Sequence, residues 1–398
     1  MTDPLGQSQV IPYLAGLTRF GYEFTIISCD KPENYNAHKK EVLDLIEKYP
    51  IKWRSIPYHK SPPVLSSVYD LYQIKREIKK LQKQIHFDMV HTRPGLPTLA
   101  ALWMKKKYGT KFLNDIRGFW ADERFDGGMW NLKNPLYKKV YSFFKNHESE
   151  CLEKADYNVC LTQAAKKEIL SWKNISDQPV KIEVIPCSAD LELFNPGKIN
   201  NELKTEYATK LNIKSDDFVI SYLGSIGGWY LTKEMMRFFK LLLEKFPAAK
   251  LLFISPHRHN EIKTAAISAG IPLENLVIAK AKRTEVPLLL SFSNYSLFFI
   301  KPCYSKLSSS PTKHGEIMGM GIPVITNSGV GDVKEIVLKY NAGFITEDFS
   351  DDSFQEIIKK IKASPGFSRD GIIAGANEMY SLEKAVATYK KIYDLVLR

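Results

Sequence analysis

Residues 218–233 read Phe-Val-Ile-Ser-Tyr-Leu-Gly-Ser-Ile-Gly-Gly-Trp-Tyr-Leu-Thr-Lys. The stretch opens with an apolar run broken by one serine, continues through Gly224, Gly227 and Gly228, and leads into an amphipathic segment from Lys233 to Phe246. A short, continuous apolar run fits a strand covered on both faces, which is the situation in a parallel sheet. Glycines let the backbone turn sharply because no Cβ intervenes. A strand, a glycine turn and a helix in that order aim backbone N–H groups and a helix N-terminus at an anion. The pattern is not G-x-G-x-x-G, and no G-x-x-x-x-G-K-[ST] occurs in the chain. Taken alone, the segment therefore fits a tight strand-to-helix connection as well as a phosphate site.

The same alternation extends in both directions. Candidate strands lie at 24–28, 89–91, 112–114, 157–161 and 182–185, and a second series at 218–223, 251–254, 276–278, 296–300 and 323–326. Helical periodicity fills 70–84, 135–152, 164–172, 233–246 and 353–361. Strands alternating with helices build βαβ units, and two such series predict an α/β protein of two Rossmann-like, doubly wound domains. The first domain is assigned to 1–190 and the second to 191–380. A terminal amphipathic helix at 381–398 is free to pack back on the first, and Pro365-Gly366 marks a break ahead of it. The chain opens on a turn-like Asp3-Pro4-Leu5-Gly6 and a helix at about 9–20, with no strand before them. A doubly wound domain normally starts on a strand, so the first strand of this domain is expected to be missing and the recorded start to lie downstream of the natural one.

Composition narrows the class. With 398 residues, 44% hydrophobic and 25% charged, the chain is globular and long enough for two cores. Cys29, Cys151, Cys160, Cys187 and Cys303 are scattered without C-x-x-C spacing, which argues against a disulfide framework or a thiolate metal site and fits a reducing cytoplasm. Neither an apolar run long enough for a bilayer nor a signal-peptide pattern is present. The net charge is +12, and residues 51–150 hold 19 Lys and Arg against 9 Asp and Glu. That surplus favours an anionic partner, although a solvated helix face has the same composition. No RNP, KH or zinc-finger pattern supports nucleic acid.

Three further segments carry chemistry. In Ser308-Ser309-Ser310-Pro311-Thr312-Lys313-His314-Gly315-Glu316, Lys313 and Glu316 fall three apart on one helix face. Hydroxyls and a lysine at a helix start suit a diphosphate, and a carboxylate one turn on suits a ribose diol. A capped helix with an internal Lys–Glu pair has the same spacing. Gly329-Val330-Gly331-Asp332 follows the next strand. In the first half, Asn114 to Arg124 interleaves Asp115, Arg117, Trp120, Asp122 and Glu123, a mixture that binds sugars through diol hydrogen bonds and ring stacking but also occurs in surface loops. His91-Thr92-Arg93-Pro94-Gly95 ends another strand. H-E-x-x-H and G-x-S-x-G are absent, so neither a zinc protease nor a hydrolase elbow is indicated.

These segments together resemble the retaining, nucleotide-sugar-dependent glycosyltransferases of the GT-B fold, the glycosyltransferase group 1 family. The resemblance covers essentially the whole chain: the Gly6 turn, VHTRPG, VIPCSADLELF, YLGSIGG and SPTKHGEIMGMGIPVITNSGVGD. It implies two Rossmann-like domains facing each other across a cleft, the donor on the second. It gives Glu316 the ribose-binding role of the family's second signature glutamate. Ser308 stands where the first would fall, Asp115 where the family carries histidine, and Ser225 where basic diphosphate ligands usually follow the glycine. The implied donor site is therefore Gly224, Ser225, Gly227, Ser310, Pro311, Thr312, Lys313 and Glu316, with Lys313 supplying the charge. Asp115, Arg117 and Lys313 are the implied catalytic residues, and Gly6, His91, Arg93 and Trp120 line the acceptor side. The implied reaction moves a sugar from a UDP or GDP donor to a hydroxyl with retention, with no metal and no cofactor. The implied acceptor is a glycan or lipid-linked oligosaccharide, with residues 51–150 against an anionic membrane on the cytoplasmic side. A nucleotide-sugar 2-epimerase and a non-catalytic nucleotide-sugar-binding protein share the architecture.

Overall fold

The computed structural model describes residues 1–364 and 366–398, so Pro365 of the sequence-inferred break lies outside the described residues. Contacts divide the chain into two units, Met1–Pro186 with Leu382–Arg398, and Cys187–Ser381. The first unit contains strands β1 (Phe24–Asp30), β2 (Ile51–Pro57), β3 (Met89–Thr92), β4 (Lys111–Ile116), β5 (Tyr157–Cys160) and β6 (Ile182–Val184). β1 and β2 pair as a parallel two-stranded sheet, and β3-β4-β5-β6 pair in that order, also parallel. The second unit contains β7 (Val219–Leu223), β8 (Lys250–Ile254), β9 (Leu276–Ala279), β10 (Tyr295–Leu297), β11 (Val324–Asn327) and β12 (Gly343–Thr346). These form one parallel sheet in the order β12-β11-β10-β7-β8-β9.

The second unit buries its sheet on both faces. Every residue of β7 and β11 is buried, which explains why both are legible as apolar runs. The helix Thr232–Leu243 turns Met235, Met236, Phe238, Phe239 and Leu242 inward, the i, i+3, i+4 stripe of an amphipathic helix. Phe299 and Phe354 stack at 5.5 Å within the same core.

In the first unit the terminal helix Leu382–Leu397 packs Tyr389, Ile392, Tyr393 and Val396 into a cluster with Tyr13, Leu17, Leu113 and Val159. The chain's last element therefore completes the first unit's core.

Three elements differ from the sequence reading. Asp3-Pro4-Leu5-Gly6 is not a turn: a helix runs Pro4–Gln9 and a second Ile11–Thr18. Proline fits the first helical turn, where its missing N–H has no partner to lose. Val10, at φ −122° and ψ −63°, separates the two helices where a single one at 9–20 was expected. β2 and β12 escaped notice because neither offers a continuous apolar run, β12 having only Phe344 and Ile345 between Gly343 and Thr346. In β2, Lys52 and Arg54 are exposed while Ile51 and Ile56 are buried, so no continuous apolar run forms.

Candidate active site

In the second unit, β11, β10 and β7 lie side by side at the sheet's centre, all parallel, so the segments that follow them leave at one edge. The strand order reverses between β10 and β7, the position where open α/β sheets form ligand crevices. Gly224 ends β7 with φ +112°, and Gly227 follows at φ +80°. A side chain on Gly224 would come 3.1 Å from the Lys313 Nζ. The positive φ favours glycine, and a side chain there would also crowd the tip of the lysine.

Lys313 lies in the helix Thr312–Gly319, which is buried along most of its length. The helix sits close because its glycines leave room. A Cβ on Gly315 would meet the Tyr380 ring at 2.7 Å, and one on Gly319 would meet Leu191 at 2.8 Å. The Lys313 ammonium lies 4.4 Å from the ring centroid of Tyr222 and 3.8 Å from that of Tyr230, and donates to the Tyr222 hydroxyl at 3.4 Å. Tyr222 itself donates to the Ser225 carbonyl at 2.5 Å, which fixes the glycine turn. Burial lowers the Lys313 pKa to about 7, against the opposing pull of the Glu316 charge.

Glu316 is also buried, and its carboxylate accepts from Arg283 Nη1 at 2.9 Å. The Arg283 guanidinium lies 5.2 Å from the Phe194 ring centroid. Ser310 accepts from the Cys187 N–H at 3.2 Å, and Pro311 holds the extended position just before the helix that Thr312 opens. Ser308 turns its hydroxyl back to the Ser305 carbonyl at 2.7 Å. Lys306 lies 3.8 Å from the Trp229 ring centroid, and its carbonyl accepts from the Gly331 N–H of the second glycine turn. Arg258 donates to the Ile226 carbonyl at 2.8 Å and pairs with Glu261, and a side chain on Gly227 would collide with its guanidinium. His314 faces inward and bonds Tyr380, and burial lowers its pKa to about 3.

In the first unit, β3 and β4 bring His91, Arg93, Asp115 and Arg117 together. Asp115 is fully buried. Its Oδ2 meets His91 Nε2 at 3.3 Å and Arg93 Nε at 3.3 Å, and accepts from the Tyr389 hydroxyl at 3.0 Å. Burial alone would raise its pKa, but the charges of Arg93 and Arg117 and the His91 bond outweigh burial and hold it below the ordinary carboxylate value. Arg117 donates to Gln9 Oε1 at 3.1 Å, and His91 Nδ1 meets the Tyr393 hydroxyl at 2.8 Å. Trp120 belongs to another group. Its ring carries the Arg124 guanidinium at 3.3 Å and touches Phe144 and Trp130. Gly6 lies in the first helix, close against the Met1 carbonyl.

Sequence reasoning missed Arg258, Arg283, Tyr389 and Tyr393. Each is far along the chain from its partner and carries no local pattern. The amphipathic terminal helix was the one available signal for the two tyrosines.

Comparison with known proteins assigns the class. The description Glycosyltransferase Family 4 matches residues 6–193, and Glycosyl transferases group 1 matches residues 204–378. The chain is 25% identical over 329 residues to an uncharacterized glycosyltransferase of Methanocaldococcus jannaschii, covering 79% of this chain and 71% of that one. It is 24% identical over 204 residues to the capsular polysaccharide biosynthesis glycosyltransferase CapM of Staphylococcus aureus, 51% of each chain. The crystal structure of Anabaena Alr3699/HepE in complex with UDP-glucose superposes with a TM-score of 0.71 at 12% identity, over 99% of this chain and 97% of that one. The two parallel α/β units are those of the GT-B fold. The chain belongs to the group 1 glycosyltransferases.

Proposed function

We propose that this glycosyltransferase moves a hexosyl group from a UDP or GDP donor to a hydroxyl of a glycan or lipid-linked oligosaccharide, with retention, in surface polysaccharide assembly. The observation that carries this reading is the Lys313 ammonium, buried beside Gly224 between two tyrosine rings and one helical turn from Glu316. The second unit holds the donor. Lys313 and the backbone N–H groups near Gly224, Gly227 and Ser310 to Thr312 receive the diphosphate, and Arg258 supplies a second cation at the glycine turn. Glu316, held by Arg283, receives the ribose diol.

The bond from the anomeric carbon to the diphosphate oxygen breaks as the acceptor oxygen bonds the same carbon from the same face. The acceptor proton passes to the departing diphosphate oxygen, and a nucleoside diphosphate leaves. Preorganised positive charge acts where negative charge develops, so this scheme calls for neither a metal nor a protein nucleophile. In the first unit, Arg117, Arg93 and His91 face the acceptor, and buried Asp115 holds them in place. The capsular polysaccharide biosynthesis of the Staphylococcus aureus relative and the bound UDP-glucose of the Anabaena protein support the substrate classes.

The basic segment suits the inner face of the plasma membrane. The helix Leu65–Gln82 exposes Leu65, Val68 and Tyr72, and Lys75, Lys79 and Lys107 surround the Trp103 ring at 5.5–5.8 Å. Among the described residues, no helix is long and apolar enough to cross a membrane. An amphipathic, lysine-rich surface of this kind binds anionic headgroups.

The test is turnover of a nucleotide-sugar panel in the wild type, Lys313→Ala and Glu316→Ala. Transfer or donor hydrolysis lost in both variants supports the reading. Undiminished turnover in both sinks the site. A free epimerised sugar as product, with or without acceptor, would favour the epimerase.

A further inference from the structure

Residues 301–315 carry three lysines and no Asp or Glu, and residues 218–232, which include the glycine turn, carry no charged side chain. Lys313 has its place beside Gly224, and Lys301 is exposed. Lys306 is only 5% exposed, and the reaction described above does not use it. It lies in the turn Tyr304–Ser308, which follows β10. Its ammonium sits 3.8 Å from the ring centroid of Trp229, the residue after the last glycine of the β7 turn.

Backbone pairing brings these two turns together. Tyr230 and Ile300 form an antiparallel bridge, the Leu231 N–H donates to the Phe299 carbonyl at 3.0 Å, and the Lys301 N–H donates to the Trp229 carbonyl at 2.8 Å. The Gly331 N–H, bonded to the Lys306 carbonyl, ties in the turn after β11. Trp229 and Tyr230 are thus sequence neighbours that each carry one buried lysine, Lys306 on the indole and Lys313 on the phenol. Past Lys306 the backbone is extended at Ser309 and Pro311 and then enters the helix Thr312–Gly319. Along this path Lys306 stands before the helix start, Lys313 in its first turn, and Glu316 one turn further in.

A nucleotide sugar has its parts in the same order. With the ribose at Glu316 and the diphosphate at Lys313, the sugar falls beside Lys306 and Trp229. An ammonium donates and has no acceptor, so it cannot receive the protons of sugar hydroxyls as a carboxylate does. Its best partner is a group that only accepts, and a charged acceptor makes the stronger bond. The acids on these segments are Glu316, already bonded to Arg283, and Asp332 at the end of the adjoining turn, against Lys301, Lys306 and Lys313. We propose that Lys306 recognises a carboxylate on the transferred sugar, so that the donor is a nucleoside diphosphate hexuronic acid. The proposal rests on the donor site given above and narrows it to one class of sugar. The anomeric carbon exchanges its diphosphate oxygen for the acceptor oxygen, the acceptor proton leaves on the nucleoside diphosphate, and the carboxylate passes intact into the product.

The test is calorimetric titration of the wild type and Lys306→Met with UDP and GDP, their neutral hexose conjugates and their hexuronate conjugates. For the base that binds, the wild type is expected to hold the hexuronate about 10-fold or more tighter than the hexose. Lys306→Met is expected to erase that preference while its affinity for the bare nucleotide stays within about twofold. Equal wild-type affinity for hexose and hexuronate overturns the proposal and leaves the donor site standing. An equal loss for all ligands in Lys306→Met also overturns it, because the lysine would then belong to the diphosphate. Binding of none of these ligands to the wild type overturns the donor site and the proposal with it. Should Lys306→Met fail to fold, the wild type is titrated with the uncharged amide of the hexuronate. Affinity reduced to the hexose level supports the proposal, and affinity equal to that of the acid overturns it.

Discussion

Lys313 is a buried cation whose partners are two tyrosine rings and one phenol oxygen. Its pKa falls from an ordinary 10.5 to about 7 because the site offers too little to replace water. The unfolded chain holds that proton up to about pH 10.5, so folding is opposed most strongly below pH 7, and stability rises as pH climbs from 7 to 10.5. Lys313→Met is therefore expected to raise Tm at neutral pH, by a margin that shrinks toward pH 10, while kcat/KM falls about 10²–10³-fold. A melting series in parallel with donor turnover checks both. Donor affinity in the wild type is expected to weaken above pH 7 as the free site loses its charge, readable from binding isotherms at pH 6 and 9. Asp115 is the opposite case, an anion buried among cations. Asp115→Asn leaves Arg93 and Arg117 without their counter-charge and should cost about 3–5 kcal/mol in denaturant unfolding, with Tyr389→Phe closer to 1 kcal/mol. The i, i+3 spacing of Lys313 and Glu316 could be read from sequence because a helix face is a local property. The Arg283 bond to Glu316 could not, because it depends on how distant turns meet.

The helix Thr312–Gly319 reaches its place only because Gly315 and Gly319 are bare. Gly315→Ala puts a methyl 2.7 Å from the Tyr380 ring, and its cost should be about 1–3 kcal/mol by urea unfolding, with donor binding weakened as Lys313 shifts. The helix Leu382–Leu397 contributes Tyr389 and Tyr393 to the Asp115 cluster. Deleting 382–398 should leave the first unit unable to fold cooperatively while the second still melts as a unit, a contrast that calorimetry resolves. β7 was legible because a fully covered strand is read as a near-continuous apolar run. β2 was not, because Lys52 and Arg54 interrupt it, and β12 was not, because it holds only two apolar residues between Gly343 and Thr346. The opening helix was misread because proline and glycine mark turns and helix starts alike, and only the following residues decide between them.

At the scale of the whole molecule, charge is partitioned. The surplus of Lys and Arg in 51–150 lies in the first unit, whereas Lys313 and Glu316, which we propose hold the donor, lie in the second. Binding to anionic vesicles should therefore follow the first unit and fade between 0.1 and about 0.5 M salt, while nucleotide-sugar binding changes little. Sedimentation with phosphatidylserine vesicles separates the two, and binding unaffected by salt would rule out the headgroup contact. A matching UDP- or GDP-sugar should raise the melting transition of the second unit selectively, since a ligand stabilises only the fold that binds it. The return of the last helix to the first unit also sets the order of events during synthesis. The ribosome completes the whole second unit before it delivers residues 382–398, so the earlier-made portion waits unfinished. A nonsense codon just before residue 382 would then cripple the half of the protein that was translated first.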